Sequence, residues 1–399
     1  MKKSLLIVSH ALELGGAERS LIGLLDALDP QEWDIDLFLL RHEGELMGDI
    51  PAHVDLLPQI PAYTVLARPM KDTLREGHIL LTAARMAGKS AARRYTKRHG
   101  FTDSVVSLEY SHKYTCPLMP PIQPGKTYDL AISFLTPHYF VARKVSARKK
   151  IAWIHTDYSR VQVDRASETA MWGAYDYIAS ISDAVSEGFL GTFPTLGDKL
   201  VLIENIIPEK LLRRQACQQA RDLVRTGDEK ILLSVGRFSN AKNFDNVPWI
   251  CKGILESGLD VKWYLIGFGS DEALIRRNIA EAGMDDRVII LGKKSNPYPY
   301  IAACDLYVQP SRYEGNCVTV HEAQMLGKPV VITRYATSAS QLEEGVDGVI
   351  VPMDNAGCAE GIAALLRDPG KMEQLSAACL GRDYSSRNAA RALMDCLKE

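Results

Sequence analysis

The stretch Asp305-Leu-Tyr-Val-Gln-Pro-Ser-Arg-Tyr-Glu314-Gly-Asn-Cys-Val-Thr-Val-His-Glu322-Ala-Gln-Met-Leu-Gly327-Lys-Pro-Val-Val-Ile332 decides how the chain is read. Leu306 to Val308 is a short apolar run, and Pro310 to Asn316 is rich in turn formers. Cys317 to Leu326 reads as a helix, Gly327 stops it, and Pro329 to Ile332 reads as the next strand. A helix that opens beyond a strand's carboxyl end lies where open α/β sheets bind ligands. Its first turn offers unpaired N–H groups and the positive end of a dipole to a phosphate. Glu314, on the loop, can accept hydrogen bonds from sugar hydroxyls. Glu322, about two turns further in, can accept from vicinal ribose hydroxyls, and neither carboxylate needs a metal for this.

Upstream, the same unit repeats. Ile231 to Val235 is a strand, Gly236 turns it, and Arg237 and Lys242 lie five residues apart on the loop into the next helix. A planar guanidinium fork and a mobile ammonium together suit a diphosphate. Val261 to Ile266 leads to Gly267 and Gly269, and Val288 to Leu291 leads to Gly292, Lys293 and Lys294. At the amino terminus, Lys3 to His10 is a strand, Gly15-Gly16 a tight turn, and the following helix runs through about Leu28. Glycines there let backbone amides approach a diphosphate without a Cβ clash. The turn lacks the G-x-G-x-x-G spacing of a dinucleotide site, which argues against a nicotinamide enzyme. Further strands are expected at Trp33–Leu40, 55–57, 129–134, Lys150–Ile154 and from Tyr177. Strands alternating with helices imply parallel, doubly wound sheets. Ser182 and Asp183 read as a helix cap. Trp153-Ile-His155 and Phe134-Leu-Thr-Pro-His138 each place a histidine just past a strand, at the expected binding edge.

At 399 residues the chain suits two domains. A hydrophobic share of 46% and a net charge of -2 fit a soluble globular protein. No apolar run reaches the roughly 20 residues of a membrane helix, and Met1 to Val8 reads as a first strand and not a leader. The eight cysteines are scattered singly, so neither a zinc site nor a disulfide framework is indicated. Arg68 to Gly100 carries nine Lys or Arg against two acids, with leucines and Ile79 interleaved. Such a basic amphipathic segment attracts anionic lipid or a pyrophosphate-linked acceptor, and Arg93, Arg94, Lys97 and Arg98 are its densest cluster. Nucleic acid is disfavoured by the near-zero net charge and the lack of stacking aromatics.

Glu314-x7-Glu322, with Pro310-Ser311, Gly315-Asn316, Ala323 and Gly327-Lys-Pro-Val around it, resembles the signature of the family 4 retaining glycosyltransferases, which have the GT-B fold. Gly15-Gly16-Ala-Glu-Arg and the Gly236-Arg237-x4-Lys242 spacing resemble the same family, and the motifs fall in order along nearly the whole chain. The resemblance implies an α/β GT-B protein: two Rossmann-like doubly wound parallel-sheet domains facing each other across a cleft. Residues 1–207 would form the acceptor-side domain, 208–384 the donor-binding domain, and 385–399 a helix packing back on the first. Asn205 resembles the asparagine that closes the first domain.

Carried over residue by residue, Gly15, Gly16, Gly236, Arg237 and Lys242 would meet the donor diphosphate. The helix start at Gly315, Asn316, Cys317 and Val318 would meet it too. Glu314 would hold the sugar, Glu322 the ribose, and Gly269, Lys293 and Lys294 would lie near the nucleotide. His155 resembles the family's active-site histidine, and His138 would join it on the acceptor side. The implied activity is retaining transfer from a nucleotide-diphosphate sugar, with uridine the expected base, by a front-face route without metal or other cofactor. The implied acceptor is a lipid-linked or saccharide precursor of the bacterial cell surface. The implied location is cytoplasmic, peripheral on the membrane's inner face. A nucleotide-sugar epimerase or phosphorylase on the same fold, and a non-catalytic degenerate subunit, stay open as alternatives.

Overall fold

Short runs of buried aliphatic residues, too brief for core helices, form the centres of two sheets. Leu5-Leu-Ile-Val8 and Leu130-Ala-Ile132 are such runs in the first half, and Ile231-Leu-Leu233 and Val330-Val-Ile332 in the second. Strands that are apolar on both faces belong to parallel sheets covered by helices on each side. The computed structural model describes every residue except Met1, Leu14, Ala67, Thr102, Asp103, Arg160, Gly315, Asn316 and Glu399. The chain divides into two units, Met1–Ile206 with Ser386–Glu399, and Ile207–Ser385.

In the first unit the strands are β1 (Lys3–Ser9), β2 (Trp33–Leu39), β3 (Val54–Leu56), β4 (Thr127–Ser133), β5 (Ser146–Ile154), β6 (Tyr177–Ser180) and β7 (Leu200–Leu202). Their order is β3-β2-β1-β4-β5-β6-β7, and every neighbouring pair is parallel. In the second unit they are β8 (Lys230–Val235), β9 (Val261–Ile266), β10 (Val288–Gly292), β11 (Leu306–Gln309), β12 (Val330–Thr333) and β13 (Val349–Val351). The order is β10-β9-β8-β11-β12-β13, again parallel throughout. Winding reverses between β1 and β4 in one sheet and between β8 and β11 in the other. Loops diverge at such a reversal and leave a crevice outside the strands' carboxyl ends.

Three local readings change. β5 begins at Ser146, four residues before the expected start, because its first residues are half-exposed and polar and look like loop. The basic stretch, read above as one amphipathic segment, contains two helices, Met70–Arg75 and Ile79–His99. The break falls at Gly77, whose φ of 85° suits glycine. After Ser385 there is no single final helix. A 3-10 segment, Arg387–Arg391, precedes one turn, Ala392–Asp395. Arg387 donates to the Asp26 carboxylate (3.1 Å) and to its carbonyl (3.0 Å), which ties this tail to the helix Gly16–Ala27 of its own unit. Among the described residues no helix is long and apolar enough to cross a membrane.

Candidate functional site

In the second unit the loops after β8 and β11 meet at the reversal. Past β8 the chain turns at Gly236 and runs through the 3-10 segment Asn240–Lys242. Lys242 folds back over Gly236, where an added Cβ would lie 3.2 Å from its Cε. Glycine there leaves room for the lysine stem on the strand end. Lys242 Nζ then lies 2.6 Å from Glu314 Oε1 and 3.7 Å from Cys317 Sγ. Burial opposes the lysine's charge, but the Cys317 thiol and the Glu314 carboxylate outweigh it and hold Lys242 above the usual lysine range.

A relay from the strand interior fixes Glu314. Tyr307 OH donates to Gln309 Oε1 (2.9 Å), Gln309 Nε2 to Ser311 Oγ (3.0 Å), and Ser311 Oγ to Glu314 Oε1 (2.5 Å). Tyr307, Gln309 and Ser311 are all fully buried. From the other side, Thr333 Oγ1 donates to the Ser311 carbonyl (2.5 Å) and Thr337 Oγ1 to that of Glu314 (2.7 Å). A buried polar chain whose members are all paired is rigid, so the carboxylate is held in place before any ligand arrives.

Cys317 caps the helix Val318–Met325, so the expected helix 317–326 is found one residue shorter at each end. The Cys317 N–H donates to Gln341 Oε1 (2.7 Å), and Gln341 Nε2 returns a bond to the Cys317 carbonyl (3.3 Å). Burial raises the Cys317 thiol, which suits packing and not nucleophilic attack. Glu322, 3% exposed, accepts from Tyr298 OH at 2.7 Å. Arg237 is exposed and in no ion pair among the described residues. Lys293 Nζ stands 5.3 Å from the Phe268 ring centre. Lys294 is instead paired with Asp222, and it lies 5.6 Å from the Tyr300 ring. Gly315 and Asn316 lie outside the described residues. The site therefore brings Lys242, Glu314 and Cys317 together, leaves Arg237 in solvent and commits Lys294 to an acidic partner.

In the first unit Gly15 caps the helix Gly16–Ala27. Its nearest neighbour is Glu18, whose Oε2 would lie 2.0 Å from a Cβ at position 15, while a Cβ at Gly16 would meet nothing within 4 Å. Ser182 Oγ accepts from the Val185 N–H (3.3 Å), so it caps the next helix as read. Asn205 Oδ1 accepts from Ser20 Oγ at 2.9 Å.

His155 follows β5 and packs 4.6 Å from the Phe134 ring. His138 is fully buried, with Nδ1 2.8 Å from Ser133 Oγ and its ring 4.3 Å from Trp172. Sequence reasoning missed two more imidazoles, His10 just past β1 and His112 on the helix Val106–Thr115, whose ring centres are 5.5 Å apart. Burial lowers His10 and His155 to about 4 and puts His112 and His138 well below the ordinary histidine range. All four are neutral near pH 7. Ser9 Oγ, His112 Nδ1, His138 Nε2 and His155 Nε2 are buried without a hydrogen-bond partner among the described residues. A buried polar atom left unpaired is costly, and a cluster of them is a place where a ligand or water supplies the partners. His10 could have been found by the strand-end rule that flagged His155. His112 sits inside a helix and carries no such signal.

A cavity of about 620 Å³ opens in the second unit among Glu229, Asp260, Lys262 and Arg287, residues at the amino-terminal ends of β8, β9 and β10. That is the opposite edge from Lys242. Four of the charges around it are matched, Arg287 with Asp260 and Lys262 with Glu229.

Residues 218–379 match the family described as "Glycosyl transferases group 1". Similar curated proteins include N-acetyl-alpha-D-glucosaminyl L-malate synthase of Bacillus anthracis, 27% identical over 168 residues, 42% of this chain and 44% of that one. The lipopolysaccharide core biosynthesis mannosyltransferase LpsB of Rhizobium meliloti is 30% identical over 128 residues, 31% and 36% of the two chains. The matches thus span less than half the length of these relatives. Among solved structures, S. aureus TarM aligns over 100% of both chains at TM-score 0.65 and 14% identity. Anabaena Alr3699/HepE, in complex with UDP and glucose, aligns over 99% of each at 0.63 and 15%. At such identities the likeness is one of fold. The chain therefore has the GT-B fold, and its second unit matches the group 1 glycosyl transferases over nearly its whole length.

Proposed function

We propose that this protein is a retaining glycosyltransferase of family 4 that takes a nucleotide-diphosphate sugar, UDP-linked, and passes the sugar to an acceptor hydroxyl. The observation that carries this is the Lys242–Glu314 pair at 2.6 Å, held at the β8/β11 reversal by a buried relay. A diphosphate arriving there competes for the ammonium and releases the carboxylate to the sugar hydroxyls. As the glycosidic bond breaks, negative charge grows on the leaving diphosphate. Arg237, Lys242 and the first-turn N–H groups of the helix Val318–Met325 stabilise it. Two side-chain cations at this position can do the work of a divalent ion, so the reading is metal-independent. Glu322 takes the ribose. No group is assigned as covalent nucleophile, and the leaving phosphate deprotonates the acceptor on the same face.

The neutral imidazoles of the first unit suit an uncharged, hydroxyl-rich acceptor, because each bare nitrogen can accept and each N–H can donate. A lipid-linked or saccharide precursor of the bacterial surface is consistent with relatives named for lipopolysaccharide core synthesis. The uridine assignment draws support from the UDP named with the Anabaena structure. Incubating the protein with a panel of nucleotide sugars and following nucleoside-diphosphate release tests the reading. Failure to bind or turn over any of them would end it.

The location proposed is the inner face of the membrane. The helix Ile79–His99 contains no acid. Its exposed stripe runs from Ile79 (63% exposed), Leu80 (72%) and Met86 (54%) to Arg93, Arg94, Lys97 and Arg98. Seven of the thirteen exposed large apolar side chains among the described residues fall between Leu74 and Leu118. An apolar end followed by a cationic end matches the boundary of an anionic bilayer. Arg85 is not part of it, because it is buried and donates to the carbonyls of Val65 and Arg68, both at 2.6 Å.

A further inference from the structure

Phe268 is the most exposed aromatic ring described in the second unit, at 53%. It stands between Gly267 and Gly269 at the carboxyl end of β9. The backbone there is held tightly. Gly267 N–H donates to the Gly292 carbonyl (3.0 Å), and Phe238 N–H to the Phe268 carbonyl (2.9 Å). A Cβ at Gly267 would lie 1.8 Å from the Gly236 carbonyl oxygen, and one at Gly269 2.2 Å from that of Phe238. The turns after β8, β9 and β10 are thus laced together with glycine at each close approach, and Phe268 is the side chain that projects. Any polar residue would serve that lacing equally, so the backbone does not account for an aromatic ring left in water.

Two routes of contact lead to this ring. From the diphosphate end, Gly236 supports the Lys242 stem and abuts Gly267. From the ribose end, Glu322 accepts from Tyr298, whose own N–H donates to Asn296 Oδ1 (3.1 Å), on the loop that begins at Lys293. Lys293 places its ammonium 5.3 Å from the centre of the Phe268 ring. An aromatic ring with a cation beside it, next to a diphosphate and ribose site, has the chemistry of a stacking platform. We infer that Phe268, supported by Lys293, stacks the nucleobase of the donor. This rests on the donor reading above and adds the group that holds the base. Stacking accepts any base, because every base has a π-face, so the choice among bases falls to other groups.

Calorimetric titration of the full chain with UDP and with inorganic pyrophosphate tests it. Phe268→Ala should weaken UDP roughly tenfold or more, as expected for loss of one base–aromatic stack, and leave pyrophosphate within about twofold by the same reasoning. Phe268→Trp should restore UDP affinity. The residue is exposed, so both variants should keep the parent's circular dichroism. UDP binding unchanged in Phe268→Ala overturns the platform alone. A parent protein that binds none of UDP, GDP and ADP overturns the donor reading and the platform with it.

Discussion

The two units share a winding and differ in what stands at its reversal. At β8/β11 the second unit places a charged pair, Lys242 and Glu314, fed by a relay in which Tyr307, Gln309 and Ser311 are each bonded onward. At β1/β4 and the adjoining end of β5 the first unit places histidines that burial keeps neutral, with nitrogens left unpaired. One topology therefore carries two kinds of chemistry. The charged, pre-paired site suits a dianionic diphosphate, because fixed dipoles and charges need little reorganisation as charge develops. The neutral site suits hydroxyls, which satisfy imidazoles without adding charge among poorly solvated groups.

That contrast can be broken most decisively at Lys242. Lys242→Ala should lower kcat/KM for donor turnover by roughly two to three orders of magnitude, by analogy with loss of one oxyanion donor. A steady-state assay in which the variant stays within tenfold of the parent would remove the charged site from the chemistry. Adding a chelator to the parent should change the rate little, and strong inhibition would contradict the metal-free scheme.

Lipid partitioning should come next in size. Replacing Arg93, Arg94, Lys97 and Arg98 together by Gln removes four cations worth about 1 kcal/mol each near an anionic surface. Sedimentation with phosphatidylglycerol vesicles should then fall to the level seen with neutral phosphatidylcholine vesicles. Unchanged sedimentation would show that the stripe does not touch lipid.

Cutting the relay should act on stability as well as activity. Gln309→Leu removes the acceptor of the Tyr307 hydroxyl and the donor to Ser311 Oγ, a loss of about 1–3 kcal/mol for a buried group deprived of its partner. Urea denaturation should show that loss, and donor affinity should fall with it because Ser311, which bonds Glu314, loses the partner that orients it.

The smallest expected effect is the pH response of the first unit. His10 and His155 titrate near 4 in the folded chain, against 6.5 as the ordinary value, and His112 and His138 also lie below it, all through burial. Their folded values lie below the unfolded ones, so between them the unfolded chain binds more protons. Stability is then lost as pH falls from 6.5 towards 4. Glu168, raised by burial to about 7, works the other way over the upper part of that range, as do the raised carboxyls of Glu18 and Glu109. The net expectation is a modest fall in the first unit's Tm between pH 7 and pH 5, smaller in His138→Phe. A Tm that rises over this interval would show that the carboxyls dominate.

Much of the fold can be read locally. The strand at Leu306, the helix after it and its stop at Gly327 follow from apolar spacing and one glycine, and both sheets follow from the repetition of that unit. The half-polar start of β5 cannot be read this way, nor can the break at Gly77, because neither alters an apolar period. The partners of charged groups are less legible still. Lys294 looks like a nucleotide ligand from its position after a strand, yet it pairs with Asp222, seventy-two residues earlier. His112 has no local mark at all and joins the imidazole cluster only because its helix packs near the end of β1.

By itself the amino-acid order determined most of the strands and that the sheets are parallel, since backbone preference and apolar period act over a few residues. Tertiary structure alone decided that Lys242 rests on Glu314, that a buried tyrosine, glutamine and serine hold that carboxylate, and that neutral histidines gather in the other unit. Hydrogen bonding and desolvation act across space, between groups far apart along the chain, and only the folded arrangement sets those distances.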